Sequence, residues 1–537
     1  MIKNIEHFRK HKFYPLLLSA LTGGLLSLAW YPPLTPLVFI ALVPLLELER
    51  TVSQHYPKWP KLTLFLYTYL GFLLWNIGVY WWLWNASGWM TLAAWGANAA
   101  LQSLPVLVYQ IIKKRSGGRY HYLAFVTSWL SFEYLHLHWD LSWVWMNMGN
   151  VFHRFPEWVQ WYEYTGSFGG ALWVLVANIF AYRIWSEKRA KVQFAMTIIF
   201  PLVASYYVYF TYEEQGAPVE VVVVQPNLDC YHEKFTYNAK TGESSQATHV
   251  PYPEQVDRLL KLSGEQISPN TQFVAWPETS LHEYFNEKNA LLNDEVRKVY
   301  DYFKEQQDHV SLVTGGDSYI TYEKGKAPKL ARYRESMGYY DVFNTAMFIG
   351  DTDSLGFYRK SKLVIGAETT PFAEWLSPVI LNFGGVSGRL GSQEEREVFV
   401  NSQGVAVAPV ICYESVYGEF VTEYIHQGAN LIFIITNDGW WGDTPGHIQH
   451  LLYGALRAIE TRRSIARAAN TGISGFINQK GELTQVSKYD EMIALKAEIK
   501  ANDQQTFYTK YGDYLGRLAA FIVGLMFVSA FVIKRIS

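Results

Sequence analysis

The chain has 537 residues, too many for one ordinary globular domain. Half of them are hydrophobic, 16% are aromatic and only 18% are charged, a balance that argues against a wholly soluble chain and for one with a membrane part. The net charge of −2 argues against nucleic acid as a partner, and two cysteines, Cys230 and Cys412, cannot make a disulfide framework.

A membrane-spanning helix needs about 20 largely apolar residues. Seven runs before residue 214 are candidates: 14–30, 33–49, 62–84, 89–112, 120–137, 166–185 and 194–212. Pro32, Pro33 and Pro36 separate the first from the second, and the fifth contains Glu133 and His136. The first run has a basic flank but no small-residue cleavage site leading into a polar chain, so it reads as a retained span. An eighth run, about 514–533, closes the chain. Basic residues collect before the first run (Lys3, Arg9, Lys10, Lys12) and in every second loop, at Arg50, Lys58 and Lys61, at Lys113 to Arg119, at Lys188 to Lys191, and again at Lys534 and Arg535. The alternate loops, 85–88 and 138–165, hold one basic residue, Arg154. The positive-inside rule then predicts residues 214–513 on the outer face, the periplasm of a Gram-negative cell. The outer loop 138–165 is dense in Trp and Tyr, which suits either an interfacial belt or the entrance for a lipid substrate. His136, His138 and His153 lack a completing Cys or carboxylate cluster, so no metal site is expected.

From residue 218 the pattern changes to short β-rich runs alternating with helical ones. Strands are predicted at 219–224, 273–276, 310–314, 344–349, 405–412, 430–436 and 475–478, the last before a Lys480-Gly481 turn. Helices are predicted at 253–266, 285–306, 415–427 and 447–467. This alternation predicts an α/β layered domain, where function collects at strand ends. Three such ends carry chemistry. Trp276-Pro277-Glu278 holds a carboxylate behind an aromatic ring and a rigid proline; desolvation there would suit it to act as a general base. The basic stretch after Tyr358 offers Lys360 and Lys362, either of which could face a developing oxyanion, and spacing alone does not choose between them. Cys412 ends an apolar strand and opens a helical stretch, a turn that can favour a thiolate; it could carry an acyl group as a thioester, with the N–H of Tyr413 as second oxyanion donor. No Gly-x-Ser-x-Gly elbow supports a serine alternative in this region.

The order Trp-Pro-Glu, Tyr-x-Lys-x-x-Leu-Val and Ile-Cys-Tyr-Glu resembles the nitrilase, or carbon–nitrogen hydrolase, superfamily. Further matches are Thr436-Asn-Asp-Gly-Trp-Trp-Gly442, Gln449-His450, and Arg457-Ala-Ile-Glu-x-x-Arg463 running to Arg467-Ala-Ala-Asn-Thr-Gly472. Set between seven spans and one C-terminal span, such a domain is similar to the bacterial apolipoprotein N-acyltransferase family. The resemblance implies an αββα sandwich at 214–513 between membrane segments 1–213 and 514–537. It implies Glu278 as general base, Lys360 (rather than Lys362) as oxyanion stabiliser and Cys412 as nucleophile. Glu368, Tyr413, Glu414, Phe235, Asn437 and Trp440 match supporting or substrate-binding positions. One segment departs from the family pattern: Leu-Val-Pro-Phe-Gly-Glu is here Leu363-Val-Ile-Gly-Ala-Glu368. Residues 378–396 fall where the family has a mobile loop over the site.

The implied reaction moves an acyl chain from a phospholipid, typically phosphatidylethanolamine, to the α-amino group of a diacylglyceryl cysteine on an apolipoprotein, by a monomeric inner-membrane enzyme without cofactor or metal. The closest rival is a membrane-tethered amidase of the same superfamily, with the same three residues delivering the acyl group to water. A scaffold retaining an inactive nitrilase fold would not need all three residue types, and a transporter would carry more intramembrane charge.

Overall fold

The computed structural model describes residues 13–56, 58–236, 244, 247–352, 355–372 and 389–536, without the side chains of 533–536. The expected covering loop at 378–396 therefore lies largely outside the described residues. Two compact units form, one from residues 1–211 with 511–537, the other from Tyr212–Lys510.

The first unit is helical. Helices Pro60–Tyr80, Tyr162–Glu187 and Lys191–Thr211, with Tyr514–Val532 of the last helix, are long and apolar enough to cross a membrane, and Phe13–Ala29 is a shorter apolar helix. Helices Met90–Arg115 and His121–His136 cover the fourth and fifth apolar runs. The second run, 33–49, is not one helix. It splits into a 3₁₀ turn, Thr35–Phe39, and the helix Val43–His55, each with a proline in its first turn, where a missing N–H costs nothing. Glu133, the charge within the fifth run, is buried and accepts hydrogen bonds from Trp129 Nε1 (2.9 Å) and the Met148 N–H (2.7 Å). The loop at 138–165 folds into short 3₁₀ turns. Its 3₁₀ turns bury Val144, Trp145, Met146, Met148 and Phe152 inside the unit, with the Trp145 ring 4.9 Å from that of Trp82.

The second unit holds fourteen strands among the described residues. In chain order they are β1 (Ala217–Gln225), β2 (Thr271–Ala275), β3 (Leu281–Asn286), β4 (Ser311–Tyr322), β5 (Arg332–Arg334), β6 (Gly338–Ile349), β7 (Leu355–Arg359), β8 (Phe399–Val400), β9 (Ala406–Ile411), β10 (Leu431–Thr436), β11 (Ile465–Ala469), β12 (Gly475–Ile477), β13 (Leu483–Val486) and β14 (Ile493–Ala501). One sheet runs β14-β1-β2-β4-β6-β5, with β3 on β4 and β7 on β6; the other runs β13-β12-β11-β10-β9-β8. β1, β2 and β4 are mutually parallel, as are β9, β10 and β11.

Alternation along each strand explains the layering, since successive side chains point to opposite faces. On the first sheet Val222, Val224, Val274, Trp276 and Leu312 share a core with Val256 and Leu259 of the helix Tyr252–Gln266 and with Val296, Val299 and Phe303 of the helix Asp294–Gln306. The opposite face meets the second sheet, where Phe273 of β2 lies edge-on to Phe433 of β10 at 5.5 Å. Each such fully buried side chain contributes roughly 1.5–3 kcal/mol. Trp276 fits this core because its indole N–H donates to Ser263 Oγ at 2.8 Å.

Three predicted helices are shorter than expected: of 415–427 only Gly418–His426 is α-helical, after a 3₁₀ turn at Cys412–Val416. The span 285–306 begins as the end of β3 and a 3₁₀ turn, Glu287–Leu292; the α-helix starts only at Asp294, where the Asn293 side chain accepts the Val296 N–H and caps it. The span 447–467 is helical only as Pro445–Thr461. Arg462 then takes φ +50°, a left-handed stop without the glycine that would have announced it, and β11 follows.

Candidate active site

Three strand ends bring the expected chemistry together. Glu278 follows β2 in a loop held tightly against β4: the Gly315 N–H donates to Pro277 O (3.0 Å) and the Ser280 N–H to Gly315 O (2.9 Å). A Cβ on Gly315 would stand 2.5 Å from the Thr279 nitrogen and 2.6 Å from Glu278 Cα, so only glycine lets this loop sit so close. Gly315→Ala is therefore expected to push the Glu278 loop outward, costing about 1–3 kcal/mol of stability. Activity should fall by about tenfold or more; thermal melting and a transfer assay on the same preparation check both.

Lys360 follows β7. Its ammonium lies 3.0 Å from Glu278 Oε1 and 2.8 Å from Glu368 Oε1, fully enclosed. Burial alone would lower its pKa; the carboxylates of Glu278 and Glu368, with Cys412 nearby, outweigh burial and hold it well above the usual lysine value. The competing Lys362 points elsewhere, its ammonium over the rings of Tyr417 (5.1 Å) and Phe420 (5.7 Å).

The altered segment before Glu368 still delivers its carboxylate. Gly366 takes φ +83°, and the Glu368 N–H closes a turn onto Val364 O at 2.8 Å. Glu368 Oε2 accepts the Val364 N–H at 2.8 Å, leaving Oε1 for Lys360. Glu414 joins two of the strand ends: it accepts from the Ile411 N–H (2.9 Å), the Ser361 N–H (2.7 Å) and Tyr358 Oη (2.7 Å).

Cys412 directly follows β9 and opens the 3₁₀ turn Cys412–Val416, with φ +50°. That is unusual for a residue with a side chain and is the kind of strain found at functional positions. The thiol is not the exposed thiolate that the turn suggested. Burial, and then the Glu278 carboxylate, push its pKa far up, with the Lys360 charge opposing.

Tyr413 is buried edge-on to Tyr417 (5.3 Å). The Asn437 N–H donates to Glu278 Oε2 at 3.2 Å. Phe235 and Trp440 stack on each other, with ring centres 6.0 Å apart, and both are partly exposed.

Several residues at the site have no role that the sequence assigns. Asn344 of β6 donates through Nδ2 to both Glu278 Oε1 (2.7 Å) and Glu368 Oε1 (3.1 Å), and its carbonyl accepts the Lys360 N–H (2.8 Å). Lys234 Nζ reaches the Glu278 carbonyl at 3.2 Å, and burial lowers this lysine to about 8. Asp317, on β4 opposite Asn344, is pushed up to about 7, chiefly by burial. Asp438, His450 and Arg467 form a buried charged cluster next to the Cys412 turn. Burial would raise the Asp438 carboxyl, but Arg467 and His450 hold it well below the usual carboxylate range. Asn344 stands midway along β6, and what it and the other residues touch shows only when distant segments meet. No group of metal-ligating side chains is present among the described residues.

Two known family models match the chain. The carbon-nitrogen hydrolase family model matches residues 244–508, and the apolipoprotein N-acyltransferase N-terminal domain matches residues 22–180. An apolipoprotein N-acyltransferase of Chlorobaculum tepidum is 28% identical over 97% of both chains. One of Geobacter metallireducens is 24% identical over 97% of this chain and 95% of its own. Among solved structures, an amidase of the nitrilase superfamily from Nesterenkonia is 12% identical and covers 57% of this chain and 98% of its own, with a TM-score of 0.36.

Proposed function

The chain belongs to the apolipoprotein N-acyltransferase family, and from that premise we propose that Cys412, Glu278 and Lys360 carry a phospholipid acyl chain to the N-terminal α-amino group of a diacylglyceryl apolipoprotein. The observation that carries this reading is the enclosed Lys360 ammonium, 3.0 Å from Glu278, with both charges bearing on the strained Cys412 thiol. As sulfur attacks the ester carbonyl, Glu278 takes the thiol proton and the carbonyl electrons move onto oxygen, where Lys360 and the Tyr413 N–H stabilise them. Collapse expels the lysophospholipid alkoxide, which receives the proton from Glu278, and leaves a thioester on Cys412. The lipoprotein amine then attacks the thioester; Glu278 accepts the amine proton and returns it to the departing sulfur, giving an amide and the resting enzyme.

The apolar helices keep the enzyme in the bilayer where both lipid substrates reside, and the basic loops favour an inner-membrane enzyme with its catalytic unit in the periplasm. Phosphatidylethanolamine is the proposed donor and a monomer the proposed working form. The test is to incubate the purified protein with labelled phospholipid, then add a diacylglyceryl peptide. The expected result is an acyl adduct released by hydroxylamine, followed by N-acylated peptide. An adduct that turns over to free fatty acid while the peptide stays unmodified would favour the amidase reading instead.

A further inference from the structure

His450 stands in the helix Pro445–Thr461 and is fully buried, as are Asp438 and Arg467. Its Nε2 lies 3.1 Å from the Cys412 carbonyl oxygen and 3.0 Å from Ser415 Oγ. Ser415 itself donates to that same carbonyl at 2.8 Å, so its lone pairs face the ring. Both neighbours of Nε2 are acceptors, which requires a hydrogen on Nε2. On the other edge of the ring Nδ1 meets Asp438 Oδ1 at 2.9 Å. Asp438 is in turn bound by Arg467 Nη2 and by Thr436 Oγ1, the latter at 2.9 Å. Arg467 Nη2 also comes within 3.2 Å of Nδ1, and Trp441 closes one side of the ring edge-on at 5.6 Å.

Two donors thus converge on one carbonyl, that of a residue held at φ +50°. The carbonyl of Cys412 and the N–H of Tyr413 belong to the same planar peptide, and in a trans peptide they point in opposite directions. Anchoring the carbonyl on one side therefore aims the N–H on the other. We infer that His450, braced by Asp438 and Arg467, is a positioning residue that locks the Cys412–Tyr413 peptide plane and so aims the Tyr413 N–H at the developing oxyanion. The inference rests on the reading of Cys412 as nucleophile given above. It assigns His450 no contact with substrate and no proton transfer.

The full-length protein tests it through two reactions of the same sulfur. Acylation by phospholipid passes through an oxyanion, whereas alkylation by iodoacetamide does not. In His450→Ala, single-turnover acylation per alkylatable Cys412 is expected to fall about 10²-fold, the loss typical of one oxyanion donor. Alkylation should fall less than about fivefold and the KM for phospholipid should move less than about threefold. His450→Gln, whose amide can restore an N–H donor, should recover acylation to within about tenfold of wild type. Ser415→Ala, which removes the second donor, should lower acylation about three- to tenfold with alkylation unchanged. Should His450→Ala fail to fold, the last two variants carry the same comparison. Equal losses in both reactions, or no loss in either, would overturn the inference. Wild-type protein that acquires no acyl group on Cys412 would sink the nucleophile reading together with it, a failure seen before any His450 variant is compared.

Discussion

Cys412→Ala is expected to abolish transfer and the hydroxylamine-sensitive adduct together, a loss of roughly 10⁴- to 10⁶-fold such as deletion of a covalent nucleophile produces. The reason is stoichiometric: without sulfur the acyl chain has no place to wait between the departure of the lysophospholipid and the arrival of the amine. The protein should remain folded. Alanine removes one buried atom and tolerates φ +50° no worse than cysteine does, so circular dichroism and melting should change little. The second thiol provides a built-in control. Cys230 is buried near Gly439 and pushed up to about 12, first by burial. Cys230→Ala is expected to keep transfer within about threefold. Intact-mass measurement of both variants after incubation with phospholipid checks the pair; an adduct on the Cys412→Ala protein would refute the assignment.

Glu278→Gln is the second large effect. Glutamine preserves shape but cannot accept a proton, and general acid–base help is worth typically ~10²–10⁴-fold. Both half-reactions should slow, because the proposed mechanism uses one carboxylate for both. Lys360 keeps a carboxylate partner in Glu368, so the variant should not strand a buried cation. The new amide must choose which edge to turn toward Lys360 and Asn344, and whichever oxygen is lost leaves a donor facing the Lys360 or Asn437 side, costing about 1 kcal/mol. Rapid-quench acylation and thermal melting on one preparation separate the chemical loss from the structural one. A Glu278→Gln protein acylating at the wild-type rate would rule out Glu278 as the base.

Much of this site is legible in the chain. Trp276-Pro277-Glu278, Tyr358-x-Lys360 and Ile411-Cys412 each mark a strand end locally, through an apolar run that stops at a chemically active residue. What resists reading is long-range. Asn344 acts on Glu278 and Glu368 from sequence distances of 66 and 24 residues, and nothing beside it announces that role. His450 is marked in the sequence by the Gln449-His450 match, but that it faces a carbonyl 38 residues away shows only in the fold. β14 is not among the expected strands although Leu495, Lys496, Ala497, Glu498 and Ile499 alternate strictly between apolar and charged; it pairs with β1 along its whole length. The helix expected from residue 285 starts late for the opposite reason: the charge pattern at 285–292 is helical, but β4 offers Phe285 and Asn286 a ladder.

The pairing of β1 with β14 has a wider meaning. Ala217 faces Ala501 across the sheet, at the entry of the first strand and the exit of the last. Adjacent strands lie about 5 Å apart. The first and last strands of this unit thus lie side by side, one strand spacing apart. A module with neighbouring ends can be spliced into a connection between two helices without rethreading its host, and without stretching its own fold.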